Sequence, residues 1–295
     1  MAEILITGSK SFVGNNYMSF SKDYNSNEVS LIGNKVYNIE FKTFDTVLHV
    51  AAIVHQSKKI PEEEYYTVNR DLTIEVAKRA KEAGVKQFVF LSTVKVYGEF
   101  NPEAGPWTEN SECNPEDPYG KSKYEAEKEL MKLEDEKFKV SIIRTPLVYG
   151  KGVRANMLSI MKLVDRMKVL PFGKVNNKRS FTYVKNLVGF IDRIIEKRAS
   201  GIFLAMDARP LSTTDLVRLI AKYLDKKRYL IPVPRFVTYL GKIFLPKIFE
   251  RLYGSFEMEN SITLEKLEFK PQFSTEEGIR DMVGAYVENK KNKPE

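Results

Sequence analysis

Ile4-Leu5-Ile6-Thr7, followed by Gly8-Ser9-Lys10-Ser11-Phe12-Val13-Gly14, constrains the fold of this chain more than any other stretch. Four apolar or β-branched residues in a row read as a buried strand, Gly8 permits a tight turn, and a helical pattern begins at Phe12. Strand, glycine turn and helix in that order leave a helix N-terminus with free backbone N–H groups and a positive dipole end, which suits a pyrophosphate. The middle glycine of such a fingerprint is replaced by Ser11. A second apolar run, Asp45 to Ala52, ends in Ala51 and Ala52, whose small side chains leave room for a flat ring system.

Apolar strands and amphipathic helices alternate along the first half. The pattern predicts strands near 3–7, 28–32, 46–50, 87–92 and 139–144, with helices near 12–20, 63–83 and 119–136. That alternation argues an α/β fold, a doubly wound parallel sheet of Rossmann type covered on both faces. The passage from about Gly33 to Asp45 is too short for a full strand–helix pair, so the third strand and its helix should be stunted. Past Gly150 the pattern loosens into helices near 154–168, 186–198, 212–224, 235–250 and 275–289, with strands near 181–184 and 201–205. The change of pattern divides the chain into residues 1–150, opened by the dinucleotide fingerprint of a dinucleotide-binding domain, and residues 151–295, which resemblance to known enzymes implies are mainly a smaller C-terminal substrate lobe interleaved with the first. Substrate should lie where the two meet, beyond the C-terminal ends of the strands.

The chemistry concentrates between Thr93 and Lys123. Thr93 ends an apolar run, and Tyr119-Gly120-Lys121-Ser122-Lys123 opens a helical pattern. Four residues on, Lys123 shares a helix face with Tyr119. An ammonium beside a phenol favours the phenolate, so the spacing predicts a Tyr119 pKa lowered from its ordinary value of about 10. Ser92 is the neighbouring hydroxyl and a substitute for Thr93.

Composition narrows the classes of function. No run of eighteen apolar residues exists, so no membrane-spanning helix is predicted. The start lacks a basic segment followed by a long apolar stretch, and the one cysteine, Cys113, cannot form an internal disulfide; both fit a cytoplasmic protein. One cysteine and two histidines make a metal site improbable. The net charge of +8 suits an anionic cofactor and substrate; the basic residues are spread along the chain, and nucleic-acid binding is not expected. The segment Phe236 to Pro246 is apolar with flanking lysines, as a membrane-surface helix would be, but Pro246 interrupts it and ordinary packing is the expectation.

Over nearly its whole length the chain resembles an extended short-chain dehydrogenase/reductase of the nucleotide-sugar epimerase/dehydratase family. The matching stretches are Thr7 to Gly14, Asp45 to Ala52, Val68-Asn69, Phe88 to Gly98, Pro118 to Lys123, Arg144 to Gly150 and Lys178 to Leu187. The resemblance implies a catalytic set of Thr93, Tyr119 and Lys123, with Tyr119 as acid/base at a sugar oxygen. It further implies that NAD(P) is held by Gly8, Ser11, Phe12, Val13, Gly14, Ala51, Ala52, Pro146, Tyr119 and Lys123. Asn156 and Arg179 fall where such enzymes meet the nucleotide of a UDP-sugar, Arg251 is a weaker candidate, and Lys174 to Asn177 is read as a segment closing over it. A homodimer through the helices near 63–83 and 119–136 is also implied.

Within that family the residues after Thr93 bear on the reaction. The 4,6-dehydratases place Asp and Glu there; here stand Val94 and Lys95, which disfavours dehydration. Reduction of a UDP-4-keto-6-deoxy-N-acetylhexosamine in surface-glycan biosynthesis is then the leading expectation, with 4-epimerisation of UDP-glucose or UDP-N-acetylglucosamine as the alternative. The strings Ala52 to His55 and Val153 to Asn156 resemble both groups. No carboxylate stands in Ile32-Gly33-Asn34-Lys35, and Lys35 would suit a 2′-phosphate, so NADP is favoured over NAD. A catalytically inactive, cofactor-sensing or scaffold protein is the remaining alternative, at odds with a complete Thr93, Tyr119 and Lys123 set.

Overall fold

In the computed structural model, which describes residues 2–33, 35–54, 60–99, 101, 105–234, 236, 243–244 and 246–292, the opening run becomes strand β1 (Glu3–Thr7) and helix α1 (Phe12–Phe20). The strands β2 (Asn25–Val29), β3 (Thr46–His49), β4 (Gln87–Thr93) and β5 (Lys139–Thr145) follow in the first half. Together with β9 (Gly201–Leu204) they form one six-stranded sheet in the order β2-β1-β3-β4-β5-β9, every neighbouring pair parallel. The chain steps outward from β1 to β2, then returns to place β3 on the other flank of β1. That reversal opens a crevice at the C-terminal ends of β1 and β3, where an open α/β sheet receives its ligand.

Side chains alternate across the sheet and each face is sealed by helices. Leu5, Val47, Phe88 and Phe90 point to the face covered by α3 (Leu72–Glu82) and α4 (Pro118–Leu133); Ile4, Ile6, Leu48 and Val89 point to the face covered by α1 and α6 (Val184–Glu196). Burial on both faces explains why these strands read as continuous apolar runs. Between β2 and β3 the stunted third unit consists of two short 3₁₀ turns, Lys35–Asn38 and Phe41–Thr43, which drop Val36 and Phe41 into the core.

The predicted helix 119–136 ends at Leu133, and of the predicted helix 235–250 most residues before Pro246 lie outside the described residues. Two further differences bear on the site. Strand β2 lies three residues earlier than predicted, at 25–29, because its exposed, polar side chains give no apolar run to mark it. The predicted helix 63–83 is broken into α2 (Glu62–Tyr66), a π turn (Thr67–Asp71) and α3; the wider turn carries Asn69, fully buried.

Beyond β5, β6 (Leu147–Tyr149) pairs with β8 (Phe181–Tyr183), and β7 (Val169–Gly173) pairs with β10 (Tyr229–Pro232). These pairs pack with α5 (Ala155–Arg166), α7 (Thr213–Tyr223) and α10 (Thr275–Lys291) around a separate cluster that includes Tyr149, Phe172, Val217 and Ile279. The remaining described helices are α8 (Pro246–Tyr253) and α9 (Ser261–Leu267). The seam between the cores is polar: Tyr149 Oη donates to Asp207 at 2.7 Å, and Asp207 also accepts from the Tyr183 amide at 2.9 Å and Asn186 at 2.8 Å.

Candidate active site

Helix α4 starts where Asp117 caps it, its carboxylate accepting the Gly120 amide at 2.6 Å, with Pro118 supplying the first helical φ. Tyr119 and Lys123 then occupy successive turns. Lys123 points inward under the sheet edge, 1 % exposed, with its Nζ 3.8 Å from the centroid of the Phe90 ring and no hydrogen-bond partner among the described residues. Thr93, the last residue of β4, is buried beside Tyr119 and accepts the Lys95 amide at 3.3 Å.

The electrostatics depart from the sequence expectation. Burial pushes the Tyr119 phenol up to about 12; hydrogen bonding with the Thr93 hydroxyl pulls it down and the nearby Asp117 charge raises it again. The phenol is therefore raised, not lowered, because its own burial outweighs the Thr93 hydrogen bond. Burial likewise brings the Lys123 amine down to about 7, opposed by the charge of Glu127.

His49 and Asn69 hold this arrangement in register. Thr73 Oγ1 donates to the Asn69 carbonyl at 2.9 Å, so it accepts from His49 Nε2 at 3.0 Å, and His49 Nδ1 accepts from Thr7 Oγ1 at 2.8 Å. The network assigns His49 a neutral Nε2–H tautomer. Burial, then the Lys123 charge, pushes its pKa down to about 3. The Asn69 side chain accepts the Ile53 amide at 2.8 Å and donates to the Ile53 carbonyl at 3.0 Å, which fixes the loop carrying Ala51 and Ala52.

Ser92, the substitute hydroxyl, is already committed: it donates to Glu127, which forms a buried ion pair with Arg144 at 2.6 Å. Lys95 is neutralised as well, paired with Glu99 at 2.6 Å and with Asp117.

The glycine turn closes tightly. Gly8, at φ +116°, donates its amide to Val29 at 3.0 Å, and a Cβ there would come within 2.7 Å of the Ala51 nitrogen. Ser11 takes ordinary extended backbone and caps α1 by accepting the Gly14 amide at 3.0 Å, so the turn forms without a middle glycine. Phe12 and Val13 spend their side chains on packing and offer only backbone N–H groups. Pro146 is buried between β5 and β6.

Sequence reasoning missed Glu28. It stands near the end of β2, and its Oε2 accepts the Lys10 amide of the glycine turn at 3.2 Å. Misplacing β2 moved the search for an acidic residue to 32–35; twenty residues past Gly8 would have found it. The Lys35 side chain and His55 lie outside the described residues.

Arg179 and Asn156 are not in direct hydrogen-bond contact with the Thr93–Tyr119 pair. Asn156 is exposed in the first turn of α5, following Ala155 at φ +51°. Arg179 Nη1 donates to the carbonyls of Glu250 at 3.4 Å and Gly254 at 3.0 Å, at the C-terminal end of α8. Burial, then Arg251, lowers its pKa; among the described residues neither arginine has an ion-pair partner. In the segment read as closing over the nucleotide, Asn177 is instead buried against Thr213 and the Gly254 carbonyl.

With this geometry in place, comparison with known proteins decides the family. Residues 4–204 match the NAD dependent epimerase/dehydratase family. The chain belongs to it. A UDP-glucose 4-epimerase of Vibrio cholerae is 36% identical, the match covering 97% of this chain and 95% of that protein. An Escherichia coli O157:H7 protein described as N-acetyl-alpha-D-glucosaminyl-diphospho-ditrans,octacis-undecaprenol 4-epimerase is 30% identical over 78% of this chain and 70% of its own length. Among solved structures, UDP-glucose 4-epimerase of Thermotoga maritima superposes with a TM-score of 0.75 at 22% identity, covering 97% of this chain and 99% of that one. A dTDP-4-dehydrorhamnose reductase of Bacillus anthracis superposes at 0.78 with 21% identity, covering 98% and 99%. The two structures establish the shared fold. This epimerase/dehydratase family member is thus an enzyme-family protein built for a nicotinamide nucleotide and a nucleotide sugar. Among the described residues no helix is long and apolar enough to cross a membrane, and no cluster could hold a metal ion.

Proposed function

We propose that this chain is an NAD-dependent 4-epimerase acting on a UDP-linked hexose. The observation that carries the reading is the Tyr119 phenol hydrogen-bonded with Thr93, one helical turn from the buried Lys123 amine, which has no hydrogen-bond partner among the described residues and whose charge reaches His49, bonded to Thr7 just before the glycine turn. The full-length likeness to a UDP-glucose 4-epimerase is its second support. Gly8 against Ala51 leaves backbone where a pyrophosphate must approach, and the α1 N-terminus offers the Phe12 and Val13 amides. The buried Lys123 amine lacks the partner that a ribose hydroxyl would supply. These residues fit a nicotinamide dinucleotide, and the Glu28 carboxylate at the turn suits an unphosphorylated ribose, favouring NAD over the NADP expected from Lys35.

The nicotinamide, when bound, supplies the acceptor and donor of hydride at the sugar carbon. Tyr119 gives a proton to the C4 oxygen when a ketone is reduced and takes it when the alcohol is oxidised. For the second task its phenolate needs the Thr93 hydrogen bond and a positive charge on Lys123. Arg179 and Arg251, two cations without carboxylate partners among the described residues, are read as the grip on the diphosphate, in a C-terminal lobe beginning near residue 151. Val94, buried and apolar, and Lys95, held by Glu99 and Asp117, leave no proton-transfer pair after Thr93, so dehydration is not proposed.

Net reduction of a UDP-4-keto-6-deoxy-N-acetylhexosamine is the second reading, since the strings around Ala52 and Val153 resemble such reductases as well as the epimerases. Nucleotide released from the denatured protein, followed by assay on UDP-glucose and UDP-N-acetylglucosamine without added cofactor, separates the two. Bound NAD and unaided turnover support the epimerase; turnover only with added NADPH and a 4-keto sugar overturns it.

A further inference from the structure

The β7/β10 pair presents an apolar face whose side chains stay exposed among the described residues. In parallel register Tyr229 stands beside Val169 and Leu230 beside Leu170; the register then shifts before Pro232, with Pro171 and Ile231 exposed while Leu170 and Phe172 turn into the core. Tyr229, Ile231 and Val169 are 57%, 50% and 48% exposed, and Met167, leading into β7, is 50% exposed. Of the segment from 236 to 246, Phe236, Ile243 and Phe244 are exposed at 66%, 54% and 74%; 237–242 and 245 lie outside the described residues, and the packing expected of the segment is not tested. An apolar surface of this kind normally marks an interaction site.

Its rim is strongly basic. Residues 162–174 and 226–234 carry seven Lys or Arg and one acidic residue, Asp165. Asp165 is buried and already neutralised by Lys226 and Lys290. Lys168, Lys174 and Lys227 are exposed and make no ion pair among the described residues, and the Lys227 amine lies 5.9 Å from the Tyr229 ring centroid. Apolar side chains ringed by unpaired cations match an anionic bilayer surface, where rings and aliphatics enter the headgroup boundary and lysines meet phosphates.

We propose that the β7/β10 face docks the enzyme on an anionic membrane surface. The face connects to the candidate substrate grip through α8: Tyr253 Oη donates to the Pro171 carbonyl at 2.7 Å, and Arg179 holds the C-terminal end of the same helix. Docking therefore sets the sugar site close to the lipid.

Flotation of the full-length protein with vesicles tests this. The parent should float with vesicles of phosphatidylcholine containing about one-third phosphatidylglycerol, stay behind with pure phosphatidylcholine, and be released by 0.5 M salt. Lys168→Gln with Lys227→Gln should weaken binding about twenty-fold, from roughly five-fold per basic residue near an anionic surface. Tyr229→Ser with Ile231→Ser should weaken it at least ten-fold. Both pairs are exposed and away from the catalytic set, so turnover of soluble UDP-sugar should be unchanged. No flotation of the parent with anionic vesicles at low salt overturns the proposal. So does a concentration-dependent dimer that the serine variants dissociate without vesicle binding, which would make the face a contact between copies.

Discussion

Replacing Lys123 by Met should make the protein more stable while stopping the reaction. The amine is 1 % exposed, has no hydrogen-bond partner among the described residues, and is brought by burial from 10.5 to about 7. At about 1.36 kcal/mol per tenfold change in the proton equilibrium, holding this side chain inside destabilises the fold by about 4 kcal/mol at pH 7. The sign follows from proton counting. Between about pH 7 and 10.5 the unfolded chain binds the proton and the folded chain does not, so stability rises with pH. Below pH 7 the burden is fully present; above 10.5 it has gone. Methionine keeps an unbranched chain over Phe90 and does not titrate. Urea unfolding of nucleotide-free protein from pH 6 to 10 should therefore show Lys123→Met ahead by several kcal/mol at pH 6–7, the lead shrinking toward pH 10. A variant less stable than the parent at pH 7, or a difference flat across the range, would refute the reasoning.

Four further outcomes follow from the site. Tyr119→Phe should lower kcat at least several hundred-fold with little change in stability, since it removes a positioned acid/base; a variant turning over at the parental rate sinks the assignment. Glu28→Ser should cut the ratio of NAD to NADP affinity about ten-fold or more, through loss of a charge-assisted hydrogen bond, measured by titration calorimetry; an unchanged ratio removes Glu28 from cofactor choice. Gly8→Ala puts a Cβ 2.7 Å from the Ala51 nitrogen at φ +116°, so cofactor affinity and melting temperature should both fall, and an unaffected variant would show that the turn is looser than described. Arg144→Met strands the buried Glu127 charge and should destabilise the protein by about 3–5 kcal/mol; chemical denaturation giving under 1 kcal/mol would contradict a tight ion pair.

The strand–turn–helix opening and the helix bearing Tyr119 were legible because apolar periodicity and glycine are local signals. Helix α1 begins and ends where the pattern put it, and the stunted stretch between β2 and β3 followed from counting residues. What escaped was set by tertiary contact. The polar strand β2 is defined by pairing with β1 rather than by its own hydrophobicity, and its displacement hid Glu28. The π turn exists to bury Asn69 against Ile53, a partner sixteen residues away. The state of Tyr119 was misread because helix spacing places two side chains but says nothing about desolvation. Ser92 looked equivalent to Thr93 until its hydroxyl was seen to serve Glu127.

The central claim is that Tyr119, Thr93 and Lys123 run a reversible oxidation at C4 of a nucleotide sugar. UDP-glucose deuterated at C4, incubated with the purified enzyme and followed by NMR, tests it most directly. The account predicts UDP-galactose with the label retained at C4, formed without added cofactor and abolished by Tyr119→Phe. Unlabelled product, product only on addition of NADPH, or inert UDP-hexoses alongside an intact fold would contradict it.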